Sequence, residues 1–329
     1  MSDKFKAIVI DNQNEKFTRD IKEIEKNQLK DGNVLVKVDY SSLNYKDALI
    51  LNDGGKIVRK FPFVPGIDVA GEVIESSSDI FNIGDKVIAT GYKIGMKVFG
   101  GFGELVQLPE EWVVPLPENL SLKDAMSLGT AGLTAGACVK KMICAEIPNN
   151  MPIIVSGATG GVGSVAVNLL SKLDYEVHAI TGKSEEKDIL LRMGAEKVIN
   201  RDEFMQDPVK PMDKGIYAGG VDTVGGDMLA KMISLITNHG AVACCGNVRG
   251  MKFTSSVFPF ILRGVSLIGI DSAESKIEFK KDIWNLFAGD WSLDLQDYTR
   301  ILSLKEIDNE ITRILKGKQV GRVVIKHEV

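Results

Sequence analysis

The chain has 329 residues, enough for two domains each with its own core. Its 44% hydrophobic and 26% charged residues match a soluble globular protein, and no apolar run approaches the roughly 18 residues of a membrane span. A net charge of −4 without basic clusters interleaved with aromatics argues against a nucleic-acid partner. Met1 to Lys6 carry no apolar signal core, so a small-molecule partner and a cytoplasmic location are expected.

In chain order, the first part reads as β-rich. Strands are expected at Lys6 to Ile10, at Val34 to Tyr40, where Val34, Val36, Val38 and Tyr40 share one face, at Val69 to Ile74 and at Lys86 to Thr90. Asp31-Gly32 and Gly84-Asp85 are turn signals between them, which suits a small irregular barrel. From Ser121 the pattern changes. The small residues Gly129 to Ala137 predict a closely packed helix, and strands and helices then alternate. Ile153-Ile154-Val155 runs through glycines into a helix, Glu176 to Thr181 is a strand, Ser184-Glu185-Glu186 caps and opens a helix, and Gly194 closes it. Further strands are expected at Lys197 to Ile199, Gly220 to Thr223, Ala241 to Cys245 and Leu267 to Ile270, with a helix from Asp227 to Ile236. This pattern predicts an α/β fold with a doubly wound parallel sheet. The tail, with Phe279, Ile283 and Phe287 on one helical face, a helix around Lys305 to Leu315 and a strand at Val323 to Ile325, leaves the alternation. It is expected to rejoin the first domain. The expected division is 1–122 and 273–329 for a discontinuous domain and 123–272 for a nucleotide-binding domain, with a cleft between them.

The glycine segment Ser156-Gly157-Ala158-Thr159-Gly160-Gly161-Val162-Gly163 sits between strand and helix, where glycine lets the backbone approach a pyrophosphate and the helix N-terminus offers free N–H groups. Ala158 stands where a dinucleotide fingerprint has its first glycine, so the strand-before, helix-after context carries the inference. No acid ends the next strand to take a ribose 2′-hydroxyl. It ends instead in Thr181-Gly182-Lys183-Ser184, hydroxyls plus a cation, which favours a 2′-phosphate and hence NADPH. Thr181, Asp222-Thr223, Gly246-Asn247 and Asp271-Ser272 are expected to form the rim at the carboxyl ends of the strands. Cys138, Cys144, Cys244 and Cys245 show no metal-ligand spacing, and Cys244-Cys245 reads as buried core.

These features resemble the medium-chain dehydrogenase/reductase superfamily, a GroES-like catalytic domain joined to a Rossmann domain, over nearly the whole chain. Asn44-Tyr45-Lys46-Asp47, Pro65-Gly66-Ile67-Asp68-Val69-Ala70-Gly71, Gly129-Thr130-Ala131-Gly132, Asp222-Thr223-Val224-Gly225 and Gly321-Arg322 resemble its zinc-free quinone-oxidoreductase branch. Asn44 to Asp47 and Phe260-Ile261-Leu262-Arg263 are most similar to the acryloyl-CoA reductase subgroup. Zinc-dependent members use a cysteine near Asn44 and a His-Glu pair near Ile67-Asp68, which this chain lacks. Its histidines are His178 in a strand, His239 at an expected helix end and His327 in the tail. No metal is therefore expected, and alcohol oxidation, which needs a Lewis acid, is disfavoured.

The resemblance implies that Thr159, Gly160, Gly161 and Val162 take the pyrophosphate, that Thr181, Gly182, Lys183 and Arg201 take the 2′-phosphate, and that Asn247, Ile261 and Ser272 line the nicotinamide end. The acceptor it implies is an enoyl-CoA, reduced from acryloyl-CoA to propionyl-CoA, or a quinone. A non-catalytic nucleotide-binding protein is the alternative of another class. Tyr45 is the first catalytic candidate, because a phenol can orient the ribose or carry a proton. Asn44 can donate from its amide and Asp47 can fix its neighbours, while the alternatives are Tyr45 as a cofactor contact only, Asp47 as a structural cap, and water as the source of the proton. Lys56, Arg59 and Lys60 form either a solvated loop or a contact for a coenzyme A phosphate. Relatives in this branch are commonly homodimers, and the apolar run Ser256 to Ile261 suits a subunit contact or burial under the nicotinamide.

Overall fold

The computed structural model describes residues 3–13, 16–30, 32–54 and 56–328; Met1, Ser2 and Asp31, used above, lie outside the described residues. The chain divides into two compact units, Met1–Thr130 with Ala273–Val329, and Ala131–Ser272.

The first unit opens with β1 (Lys4–Gln13), β2 (Lys16–Glu25), β3 (Val34–Ser42), α1 (Tyr45–Asp53), β4 (Asp68–Ser76), β5 (Lys86–Thr90), β6 (Leu105–Leu108) and β7 (Val113–Pro115). Helix α2 (Leu122–Cys144) carries the chain into the second unit. There follow β8 (Ile153–Val155), α3 (Gly161–Lys172), β9 (Val177–Thr181), α4 (Lys187–Arg192), β10 (Lys197–Asn200) and α5 (Arg201–Phe204). The second unit ends with β11 (Tyr217–Asp222), α6 (Gly226–Ser234), β12 (Ile236–Cys244), α7 (Phe258–Arg263) and β13 (Ser266–Gly269). Back in the first unit lie α8 (Ile277–Ala288), β14 (Thr299–Leu302), α9 (Ile307–Leu315) and β15 (Arg322–Lys326).

In the first unit the large sheet runs β14-β15-β3-β4-β5-β7, with β6 also on β3. The alternation in β3 packs Val34, Val36 and Val38 against Val69, Val73 and Val87 in one core. A second core lies around α1 and α9, where Ile307, Ile311 and Ile314, at helical spacing, meet Ile50, Leu51, Val323 and Ile325. Strand β2, antiparallel to β1, was not expected from sequence. Its segment lacks a strict apolar alternation, and Ile21 is 41% exposed, so there is little burial to write a signal.

Within the second unit the sheet is parallel throughout, in the order β10-β9-β8-β11-β12-β13. The order of the strands reverses at β8, with β9 on one side and β11 on the other, and such a switch point is where a parallel sheet offers a crevice at its strands' carboxyl ends. On the far edge Arg263 closes α7 by donating to the carbonyls of Ser234 and Ile236, at 3.2 and 2.9 Å, and to that of Asp213.

Four local expectations are corrected. Helix α2 does not begin at the small-residue run; it starts at Leu122 and is broken at Gly129, with φ 53° and ψ −156°. Ser184–Glu186 forms a 3-10 turn that runs into α4, but its N-cap is Lys183, which makes no side-chain cap bond, and the Ser184 hydroxyl accepts from Asn200 Nδ2 at 2.7 Å. His239 lies in β12, not at a helix end, since α6 stops at Ser234. Cys244, the last residue of β12, and Cys245, just after it, are half-buried, and only Cys138 is fully buried among these three. Its thiol is pushed well up by the hydrogen bond with Cys245 and by burial.

Candidate nucleotide and proton-transfer site

In the second unit the glycine segment joins β8 to α3. Gly160 is the N-cap and Gly161 the first helical residue, so the first-turn N–H groups face the crevice end of the sheet. The turn is too tight for any side chain at Gly163, where a Cβ would lie 2.3 Å from the Gly157 carbonyl oxygen and 2.8 Å from Ala158 Cα. Thr159 is 3% exposed and its Oγ1 lies 3.3 Å from Thr181 Oγ1.

The expected 2′-phosphate residues converge. Lys183 Nζ donates to Thr159 Oγ1 at 3.0 Å, and the Lys183 N–H donates to Thr181 Oγ1 at 3.0 Å. Arg201, first residue of α5, lays its guanidinium on Gly182, where a Cβ would meet Nη1 at 2.3 Å, and its Nε pairs with Asp202 at 2.9 Å. That pairing holds the Asp202 carboxyl below its ordinary range. A narrow glycine turn, a helix N-terminus and two cations over short hydroxyls fit a phosphorylated dinucleotide.

The other rim residues divide. Asp222 is turned inward: its carboxylate accepts from Ser156 Oγ at 2.6 Å and from the N–H groups of Val224 and Gly225 at 3.2 and 2.9 Å. Burial raises its pKa against those hydrogen bonds. Its work is to fold the β11–α6 turn. Ser272 shares a hydroxyl hydrogen bond with Thr134 at 2.6 Å. Asn247 is exposed in the loop after β12, and Ile261 is 69% exposed on α7.

In the first unit Asn44, Tyr45 and Asp47 start α1 as a capping box, with Asn44 at the N-cap and Asp47 at the third helical position. Asp47 Oδ2 accepts the Asn44 N–H at 2.9 Å and Nδ2 at 3.1 Å, while Oδ1 accepts the Ile67 N–H at 3.0 Å. Asn44 Nδ2 also donates to Asp68 Oδ2 at 2.8 Å, and its Oδ1 lies 3.3 Å from Arg322 Nη2. The amide that sequence offers as a free donor is thus held by two carboxylates and a guanidinium. Tyr45 alone of the three is open, at 43% exposure.

Sequence reasoning missed the group that surrounds Asn44. Asp68 further accepts from the hydroxyls of Ser42 and Thr130 and from the Thr130 N–H at 2.9 Å. The break at Gly129 makes this possible, because a Cβ there would strike Ser42, Asp68 and Arg322, and the turn aims the next N–H at Asp68. Arg322, 2% exposed, donates from Nε to the Ser127 carbonyl at 3.0 Å. Burial pushes the Asp47 carboxyl up to about 7, with neighbouring Asp68 as the second cause, and burial lowers Arg322. The available signal was charge in apolar company, Asp68 before Val69-Ala70 and Arg322 before Val323-Val324. Among the described residues, no group of three or more His, Cys, Asp or Glu is arranged to hold a metal ion. Nor is any helix among them long and apolar enough to cross a membrane.

Two family models match, "Alcohol dehydrogenase GroES-like domain" over residues 30–118 and "Zinc-binding dehydrogenase" over residues 161–288. The chain belongs to the medium-chain dehydrogenase/reductase superfamily, a family of oxidoreductases. Among similar proteins, the acrylyl-CoA reductase AcuI of Ruegeria pomeroyi is 40% identical over 325 residues, 98% of each chain. The Bacillus subtilis protein YhfP, named among quinone oxidoreductases, is 41% identical over 99% of this chain and 100% of its own. Its structure with NAD bound has a TM-score of 0.96, covering 99% of this chain and 100% of that one. The yhdH oxidoreductase from Salmonella enterica in complex with NADP is 37% identical, covers 98% of this chain and 100% of its own, and has a TM-score of 0.94.

Proposed function

We propose that this protein is an NADPH-dependent reductase of acrylyl-CoA. The observation that carries the reading is the full-length similarity to the Ruegeria pomeroyi acrylyl-CoA reductase, joined to a capping box that leaves the Tyr45 phenol open. When bound, the reduced nicotinamide supplies a hydride. Thr159 to Val162 hold the pyrophosphate, and Thr181, Gly182, Lys183 and Arg201 hold the 2′-phosphate; Asn247, Ile261 and Ser272 serve the nicotinamide end. On the acceptor, hydride adds to the β-carbon, charge collects on the thioester oxygen, and a proton must reach the α-carbon. Tyr45 O–H donates that proton and, being exposed, takes a proton back from solvent. Asn44 and Asp47 position α1 beneath it rather than touching the substrate.

The test follows NADPH oxidation with acrylyl-CoA, a longer enoyl-CoA and a simple quinone in parallel. Turnover of the quinone alone overturns the thioester reading in favour of the quinone reductase that YhfP's name suggests. Tight NADPH binding with no turnover favours a non-catalytic nucleotide-binding protein. Tyr45→Phe is expected to lower kcat severely at unchanged NADPH affinity; an unchanged kcat removes Tyr45 as the proton donor. Lys183→Ala is expected to weaken NADPH more than NADH by roughly 1.5 to 3 kcal/mol in calorimetric titrations, the range for a charge-assisted contact. Equal losses for both would return Lys183 to the surface.

A further inference from the structure

We propose that Lys56, Arg59 and Lys60 bind the phosphates at the nucleotide end of a coenzyme A thioester. The inference rests on the acrylyl-CoA reading above. All three side chains are exposed, and among the described residues none of the three has a hydrogen-bond or ion-pair partner. The whole chain is acidic, at −4, yet between Asp53 and Asp68 it carries no acid at all. Three unpaired cations within five positions repel one another and leave a local positive field suited to a multiply charged anion.

The loop that holds them is fixed to the body of the unit. Val58 is 5% exposed and Phe63 is 4% exposed, both in the core around α1. The Ile57 and Val58 N–H groups donate to the Gly54 carbonyl at 3.0 and 3.2 Å. Phe63 and Ile10 exchange backbone hydrogen bonds at 2.9 Å each. Between those anchors the three cations face solvent, so binding a phosphate costs little ordering of the backbone.

Placement gives the ligand its class. Tyr45 begins α1, a helix of nine residues and roughly 13 Å, and the cationic loop follows the helix's other end. An extended pantetheine arm reaches at least that far from thioester to first phosphate. With the thioester carbonyl at Tyr45, an arm laid along α1 brings the phosphates of coenzyme A to the loop, where the Arg59 fork can take a phosphate through two N–H groups. A quinone has nothing to place there.

The experiment is calorimetric titration of the full-length, NADPH-loaded protein with desulfo-coenzyme A and with adenosine 3′,5′-bisphosphate. The triple variant Lys56→Gln, Arg59→Gln, Lys60→Gln is expected to raise Kd for both about tenfold, the scale of three solvent-exposed charge contacts, and added salt should narrow the gap. Unchanged Kd values, or no binding of either ligand to the wild type, overturn the proposal. So does a matching loss of NADPH affinity in the variant, which would assign the cations to the dinucleotide. Cluster-dependent binding of desulfo-coenzyme A by a protein that does not reduce acrylyl-CoA would overturn only the substrate reading and leave the phosphate site standing.

Discussion

Gly163→Ala is expected to abolish NADPH binding in the micromolar range and to lower stability at the same time. The added Cβ meets backbone, at 2.3 Å from the Gly157 oxygen and 2.8 Å from Ala158 Cα, so no rotamer change relieves it. The β8–α3 turn must open, at a cost of about 1–3 kcal/mol for overpacking. The N–H groups of the turn then miss the pyrophosphate. Losing about two charge-assisted hydrogen bonds weakens binding by roughly 3–6 kcal/mol, two orders of magnitude or more. Gly160→Ala is the companion: its Cβ has a single close neighbour, the Gly157 oxygen at 3.2 Å, so it should keep the melting temperature of the wild type. Calorimetric titration and thermal melts of both variants check the argument. NADPH affinity in Gly163→Ala within threefold of wild type would remove the turn from the phosphate site.

The second large effect is a pair of opposed pH dependences in the first unit. Asp47, raised from 3.8 to about 7, is protonated more readily in the folded chain. Its favourable contribution is complete below pH 3.8 and is lost as pH rises through about 7. His327 runs the other way. Burial lowers it from 6.5 to about 4, so stability is complete above 6.5 and is lost as pH falls toward 4. Across the shared window the two slopes nearly cancel. His327→Gln should therefore reveal a stability that falls as pH rises, and Asp47→Asn one that rises, each by up to about 1.4 kcal/mol per pH unit relative to wild type. Urea unfolding at pH 4 to 7 reads both. Flat difference curves for both variants would show that neither group titrates with folding.

How much of this was legible depended on whether the signal was local. The β8 strand, its glycines and α3 are consecutive, so the turn could be read directly; so could the valine alternation of β3. Lys183 could be read because it follows a strand end without an acid, and Arg201 because the family resemblance implies it; both lie near Gly182 and Thr181 in the structure. Asn44 to Asp47 was visible too, with Asp47 open to a capping role beside a catalytic one, and the capping role is the one the structure shows, as Asn-x-x-Asp before Ala48-Leu49-Ile50-Leu51 carries that pattern. What could not be read was the saturation of the Asn44 amide, because its partners Asp68 and Arg322 lie 24 and 278 positions away. The break in α2 was hidden for the same reason. Gly129 among small residues looks like helix until Ser42, Asp68 and Arg322 are known to crowd it.

Arg322 also sets an order of events in the making of the protein. Asp47 and Asp68 are synthesised before the second unit and Arg322 after it, and that second unit is one continuous stretch, Ala131–Ser272. On the ribosome that stretch can fold as it emerges, while the first unit waits with two carboxyls that have no cation to be buried against. A chain interrupted before Arg322 would keep a formed second unit and an unfinished first one, so the buried acids of the first unit wait on a cation that follows the whole of the second.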